Sequence, residues 1–571
     1  LWNVFAEAGK KTLVWHWPGS SWPPSSDSPN LYVVDGTSPG SVGMATSQIE
    51  MEYLVGASEA IQEVTYIPKA PMEASAACVV TDLDLSKQDE GYDLLSNVGD
   101  KNKKGERKLI TDLSQHTTSS TESRIDMVQS PIKPATGWAA APSDAKEFTI
   151  LFCHGLVRRP CLLLKNDAGL YDTIQIYKDK KAADCIAILK NNEFAVGIVD
   201  DAIKNDKTYT VARNMRVLNI AEDGSTVRIW ISAAINIHDD SVFSPRSLHD
   251  DIIEHIGYPM PVSNIGSQDK QLVIDCMQEN WMRTMDWWAD AIHYMIEEKG
   301  VEVVFSQIHN DDAQKHNMIS VYRENSPHRT LPMEDYEEFF INISRQNDHY
   351  IGRFLHLLDE GWSIFLVSDH GLVTSENGPS PYLPQIYIDA SFMREWGYTE
   401  VIYDADGNPT KEIDWSKTKA IASRMNSIYL NIKGRWPNGI VDPEDQYDLE
   451  AEIIAKLYDL RDENGHARVA LALRNKDAVL LGLGGPECGD IIVFQAEQNL
   501  MDHGDSLSTS LGLQHTSVSP IFVAAGRGIK ENFKTTRYIR EVDVAPTIAT
   551  LLDVRMPNEC EGAPAYQILA D

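Results

Sequence analysis

The stretch MQENWMRTMDWWADAIHYMIEEKGVEVVFSQIH, residues 277–309, decides the fold class. Within it Met277, Trp281, Met285, Trp288 and Ile292 recur at spacings of three and four, which is the apolar stripe of a helix with one buried face. Gly300 ends the stripe, and VEVVFSQI (301–308) is short, apolar and β-branched, so it reads as a buried strand. The unit then repeats. Phe339, Ile343, Tyr350, Phe354 and Leu358 mark a second helix, Gly361 closes it, and SIFLVS (363–368) is the next strand. GDIIVFQ (489–495), PIFVAAG (520–526) and a helix through VAPTIATLL (544–552) continue the alternation. Helices alternating with short apolar strands predict an α/β fold, with a mostly parallel central sheet covered by helices on both faces.

Outward from that stretch, residues 1–146 read as part of the same α/β core. A helix leads into a strand at Thr12–His16, a Pro/Ser loop follows, and Leu31–Val34 is a second strand. An exposed polar excursion is expected at 97–146, from GDKNKKGERK and SQHTTSSTES. Residues 147–264 read as a β-rich cap insert and the return from it. FTILFC, TIQIYK, FAVGIV, TYTVA and TVRIWISAAI are separated there by DG, NN and KND turns. Residues 265–571 complete the core.

The chain has 571 residues and a formal charge of −33, from 51 basic and 84 acidic side chains. Such a balance repels a polyphosphate backbone, so a nucleic acid polymer is not an expected partner. No apolar run approaches the roughly 20 residues of a membrane span. Seven scattered cysteines without a CxxC pair argue against a disulfide framework or a cysteine zinc site, so a reducing, cytoplasmic setting is expected. The sequence opens at Leu1 in mid-pattern, so further residues, with any targeting signal, are expected upstream.

In parallel α/β sheets the ligand site lies beyond the carboxyl ends of the strands. There this chain places Asp312 and His316 after VEVVFSQI and Asp369 and His370 after SIFLVS, with His515 just ahead of PIFVAAG. Carboxylate with imidazole is the ligand chemistry of zinc and, with more oxygen, of manganese. Asp312 and His316 are four apart and share a helix face, whereas adjacent Asp369 and His370 reach different ligand positions. A single strand-end Asp is ordinarily a helix cap and a single His a surface residue; the set points to a metal centre.

The order strand, D-x-x-x-H, strand with S-D-H-G, a C-terminal His before an apolar strand, and a V-x-V-A-P-T-I helix resembles the alkaline phosphatase superfamily. Within it the chain is similar to the type I phosphodiesterase/nucleotide pyrophosphatase branch, through LWNVFAEAGKKTLVWHWPGSSWPP, KTKAIASRMNSIYLNIKGRWPNGIV, GDIIVF and EVDVAPTIATLLDVRMPNECEG. The resemblance implies an alkaline phosphatase-like fold and two divalent metal ions, zinc or manganese. Asp312, His316 and His515 match the ligands of one ion, and Asp369 and His370 two ligands of the other. The remaining carboxylate ligand and a Ser/Thr nucleophile would fall before Leu1, which leaves the catalytic nucleophile unassigned. The implied activity is hydrolysis of a small-molecule phosphate ester, preferably a phosphodiester or nucleotide pyrophosphate, by an enzyme that could be a homo-oligomer. The alternatives are a phosphomonoesterase, phosphomutase or phosphonate hydrolase on the same scaffold, and a noncatalytic ligand-binding descendant.

Rival motifs are weaker. Gly36-Thr37-Ser38-Pro39-Gly40 matches a G-x-S-x-G nucleophile elbow in form, but Pro39 lacks the N–H that an oxyanion hole needs. Asp35 and Thr37 read as a strand-end turn. None of the cysteines sits in the C-x-P-x-R pattern of a cysteine-modified sulfatase, and Gly482, Gly484 and Gly485 lack the Lys-Ser/Thr of a phosphate loop. Asp311 reads as a solvated neighbour of Asp312, and His503 as a surface residue.

Overall fold

The computed structural model describes residues 1–17, 24–34, 47–67, 100–101, 107–108, 125–266, 269–318, 331–371, 390–407, 409–423, 427–461, 465–486, 488–495 and 520–570. The chain is mixed α/β. The helix Glu279–Glu297 follows a π-helical turn at Leu272–Gln278, and the stripe of Met277, Trp281, Met285, Trp288 and Ile292 is wholly buried. Each such side chain contributes about 1.5–3 kcal/mol by leaving water. On one side the stripe packs against Leu13 and Trp15 of the strand Thr12–Trp15, and on another against Phe339, Ile343 and Tyr350 of the helix Met333–Gly352.

Alternation along Thr12–Trp15 sends Val14 the opposite way, toward Val33, Phe305, Phe5 of the helix Trp2–Glu7 and Ala549 of the helix Val544–Leu551. The strand is thus covered on both faces. It pairs in parallel with Leu31–Val34 on one edge and Val303–Ser306 on the other, and Phe243–Ser244 adds an antiparallel edge. Parallel pairing is less extensive than the alternation of helices and strands suggests. Among the described strands it recurs only between Tyr53–Ser58 and Asp126–Pro131, apart from isolated bridges at Ile432–Val441 and Lys433–Trp436. Ser363–Val367 pairs antiparallel with Phe522–Gly526, and Ile491–Gln495 lies antiparallel between Ser427–Leu430 and Val469–Arg474. The helix Gln446–Asp459 covers this last sheet through Leu449, Ile453 and Leu457. Gly526 makes the first of these antiparallel pairings possible. Its φ is +109°, and a Cβ there would stand 2.2 Å from the Trp362 carbonyl oxygen.

Strand patterns between 146 and 236 enter two layers, one antiparallel and one mixed. Lys133–Pro134, Lys146–Phe152, Val157–Lys165, Tyr171–Ile176 and Ala187–Lys190 make a five-stranded sheet. Phe194–Lys204, Lys207–Ile220, Thr226–Ile231 and Ala234–Asn236 enter an eight-stranded sheet with Gln48–Glu50, Tyr53–Ser58, Thr65–Ile67 and Asp126–Pro131. Ile150, Leu163 and Ile174 of the first sheet share one core with Val55, Val211 and Ile229 of the second. Asp126–Pro131 falls within the stretch read as a polar excursion, yet Asp126, Val128 and Ser130 face inward. Most of 97–124 lies outside the described residues.

Two elements are shorter than their patterns suggest. The strand in VEVVFSQI is only Val303–Ser306, and the helix expected to run through Leu358 stops at Gly352, before a 3₁₀ turn at Leu355–Leu358. At that stop the Arg353 guanidinium bonds Asp286 and Asp290 on the neighbouring helix, so the chain turns where its charge is anchored. No helix among the described residues is long and apolar enough to cross a membrane.

Candidate functional site

Beyond Val303–Ser306 the chain turns through Gln307–His309 into the helix Asn310–Met318. Buried amides set this turn. Asn310 Nδ2 donates to Gln346 Oε1 (3.2 Å) and Asn347 Oδ1 (2.8 Å), and Gln314 Nε2 donates to Gln346 Oε1 (2.8 Å). The first helical turn is therefore fastened to the helix Met333–Gly352. Of its two acidic residues, Asp311 accepts from Lys315 (2.8 Å) and Asn347 (3.2 Å). Asp312 instead stands 3.6 Å from His370 Nε2 through Oδ1 and 3.8 Å from His309 Nε2 through Oδ2.

His370 arrives from the other strand end. After Ser363–Val367, the Ser368 hydroxyl donates to the His370 carbonyl (2.7 Å), and the His370 amide donates to Asp369 Oδ1 (3.1 Å). The His370 ring places Nδ1 2.8 Å from the Gly371 carbonyl oxygen. A carbonyl only accepts, so Nδ1 carries the proton and the lone pair of the neutral ring is on Nε2. That nitrogen faces Asp312 and, at 3.8 Å, Asp369 Oδ2. Separations of 3.6–3.8 Å exceed a hydrogen bond.

The group lines a cleft of about 2220 Å³ whose lining also includes the apolar Val304, Phe305, Ile364 and Leu366. Glu541, from the 3₁₀ turn Glu541–Asp543, joins the same lining. Burial pushes its carboxyl above the ordinary value, nearby Asp369 adds to that, and His370 opposes it. Sequence reading passed over Glu541; its one signal was its place at the head of EVDVAPT, directly before the helix. His309, three residues before Asp312 and a candidate further ligand by its spacing, lies in the loop before the helix with Nε2 3.8 Å from Asp312 Oδ2.

The five expected metal ligands are placed as follows. Asp312, Asp369 and His370 meet at the rim. The backbone of His316 lies in the helix with Asp312, four residues on, and His515 lies outside the described residues, as do Asp35, Thr37, Ser38 and His503. Among the described residues no group of three or more His, Cys, Asp or Glu is arranged to hold a metal ion. The donor chemistry nevertheless suits a divalent cation, with carboxylate oxygens around an imidazole whose lone pair is turned toward them. Cys153 offers no rival nucleophile. Burial and nearby Glu50 push its thiol up to about 11, far from the thiolate form at neutral pH.

No family model matches the chain, and no curated protein or solved structure matches it.

Proposed function

We propose that this chain is a metal-dependent hydrolase of phosphate esters, with an alkaline phosphatase-like core and two divalent ions, zinc or manganese, bound by Asp312, His316, His515, Asp369 and His370. The observation that carries the reading is the approach of His370 to Asp312, 3.6 Å apart although 58 positions separate them in the chain. Two separate strand ends deliver acidic and imidazole donors to one point of one cleft. When bound, such ions supply positive charge to a phosphoryl oxygen and to the attacking group.

The chain's own residues have definable tasks. The Gly371 carbonyl fixes the His370 ring so that Nε2 presents its lone pair. Lys315 neutralises Asp311, which leaves Asp312 as the carboxylate of that turn directed at His370. Val304, Phe305, Ile364 and Leu366 supply an apolar part of the same lining. Lys10, Lys315 and Arg527 are the cations that line the cleft among the described residues, and the first two face Glu302 and Asp311. So little positive charge favours a singly charged diester over a doubly charged monoester.

Protein expressed from the complete gene should hold two divalent ions per chain by elemental analysis and should hydrolyse an aryl phosphodiester with a larger kcat/KM than the matched monoester. Absence of stoichiometric metal together with no turnover of either ester would overturn the reading. Preference for the monoester would move the substrate class and leave metal-dependent hydrolysis standing.

A further inference from the structure

We infer that the cleft behind the Asp312–His370 rim is the place of a further β-strand, parallel to Val303–Ser306 and supplied by residues of this chain that precede Leu1. Two strands flank the cleft along their whole lengths, since its lining is continuous over residues 301–309 and 360–371. Among the described residues each is paired on one edge alone. Val303–Ser306 ends its sheet beside Thr12–Trp15, and Ser363–Val367 pairs with Phe522–Gly526 in a sheet of two. The bonds to those partners fix which backbone groups are left over. The Val303 and Gln307 amides donate to the Lys11 and Trp15 carbonyls (3.1 Å each), so the alternate residues Val304 and Ser306 turn their N–H and C=O groups to the cleft. The Arg527 amide donates to the Trp362 carbonyl opposite it (3.3 Å), which in the register of that pair leaves the backbones of Phe365 and Val367 facing the cleft from the other wall.

The carboxyl ends of the two strands meet where His370 approaches Asp312, so both run the same way. Ile292 and Tyr350 line the cleft from one face of the sheet and Ile548 from the other. Unpaired backbone on two sides and apolar side chains on the other two fit a central strand, buried on both faces. The helix Trp2–Glu7 identifies its source. Trp2 packs against Trp17, beyond the carboxyl end of Thr12–Trp15, with ring centroids 6.2 Å apart, and Lys10 reaches Glu302 (3.5 Å) at the amino end of Val303–Ser306. The helix therefore runs opposite to the strands and returns the chain to the start of Thr12–Trp15, as the helix of a strand–helix–strand crossover does. The strand that such a helix follows lies before it in the chain and parallel to the strand it enters. Leu1 and Trp2 themselves line the cleft. Handedness agrees. The helix Glu279–Glu297 crosses one face of the sheet on the way from Leu31–Val34 to Val303–Ser306, and Trp2–Glu7 crosses back over the other face, which is the same hand.

The test uses protein expressed from the complete gene and reads neither metal nor ester, so its outcome is separate from that of the hydrolase reading. Hydrogen exchange resolved to single amides by mass spectrometry should show Val304, Ser306, Phe365 and Val367 as slow as Val303 and Phe305, within about tenfold. Benzoylphenylalanine in place of Phe365 should, on irradiation, cross-link to a peptide that precedes Leu1. Exchange of those four amides about a hundredfold faster than their neighbours would overturn the assignment, even if the cross-linking variant failed to fold. So would a folded variant that cross-links to another segment, to a second copy of the chain, to another protein or to nothing.

Discussion

Arg213 and Glu50 meet in hydrogen-bond contact inside the β-rich layers, whereas His370 and Asp312 face each other at 3.6 Å on the rim of a cleft. Arg213 is 1% exposed and lies 4.5 Å over the Phe152 ring. Glu50 also accepts from the Tyr53 hydroxyl and the Cys153 amide, and burial followed by Glu50 raises the Tyr53 pKa. Arg159 and Asp200 repeat the pattern, with contacts of 2.7–3.1 Å. Opposite charges there are held in direct contact, Arg213 through Nη2 alone and Arg159 through two of its nitrogens, as burial requires. At the rim Asp312, Asp369 and Glu541 are gathered around a single cleft wall, and Asp369 is 72% exposed. Matched charge inside a core makes structure, whereas the like charge collected at the rim is what the proposed function would use to hold a cation.

The comparison can be broken first at its strongest point. Arg213→Ala should cost about 3–5 kcal/mol in urea unfolding, because it strands Glu50 in the core, and a Glu50→Gln/Arg213→Met pair should recover most of that loss. A single-variant cost under 1 kcal/mol would remove the contrast. Next, Asp312→Asn should weaken divalent-metal binding about 10–100-fold or more, read by dialysis with elemental analysis, while the unfolding midpoint without metal stays put. Unchanged metal affinity would make Asp312 an ordinary helix-start carboxylate.

Glu147 sharpens the buried half through pH. Burial raises its carboxyl pKa, but hydrogen bonds from Lys180, Trp138 and the Thr136 amide outweigh that and leave it below the ordinary value. A depressed folded-state value means stability present above the ordinary carboxylate range and lost as pH falls through the folded value. Glu147→Gln should therefore destabilise by about 1 kcal/mol at pH 7, with the gap to the parent closing as pH falls below the ordinary carboxylate range and through the lowered folded value. A gap independent of pH would sink this account. The smallest effect is expected for Asp369→Asn, whose apo stability should change by no more than about 0.5 kcal/mol. A large loss would show that the rim is structural after all.

The helix stripe from Met277 to Ile292 was legible because a 3.6-residue period survives in the sequence whatever the helix packs against. The strands of the β-rich layers showed equally well through alternation and turn residues. Which strands pair did not. Nothing local in Tyr53–Ser58 announces a parallel partner at Asp126–Pro131, or marks Ile491–Gln495 for antiparallel neighbours. Backbone donors and acceptors are the same at every position and carry no partner label, so pairing is decided by the whole sheet.

The candidate site divides along the same line. By itself the sequence determined that Asp312, Asp369 and His370 stand at strand ends, because short apolar runs stop there and polar motifs follow. The D-x-x-x-H spacing already preferred Asp312 to Asp311; only the tertiary structure decided that Asp312 faces His370, that Glu541 joins them, and that the Gly371 carbonyl turns Nε2 toward the carboxylates. Those outcomes depend on the amide clasp from Asn310 to Gln346 and on the meeting of two strand ends, and long-range contacts of that kind leave no periodic trace along the chain.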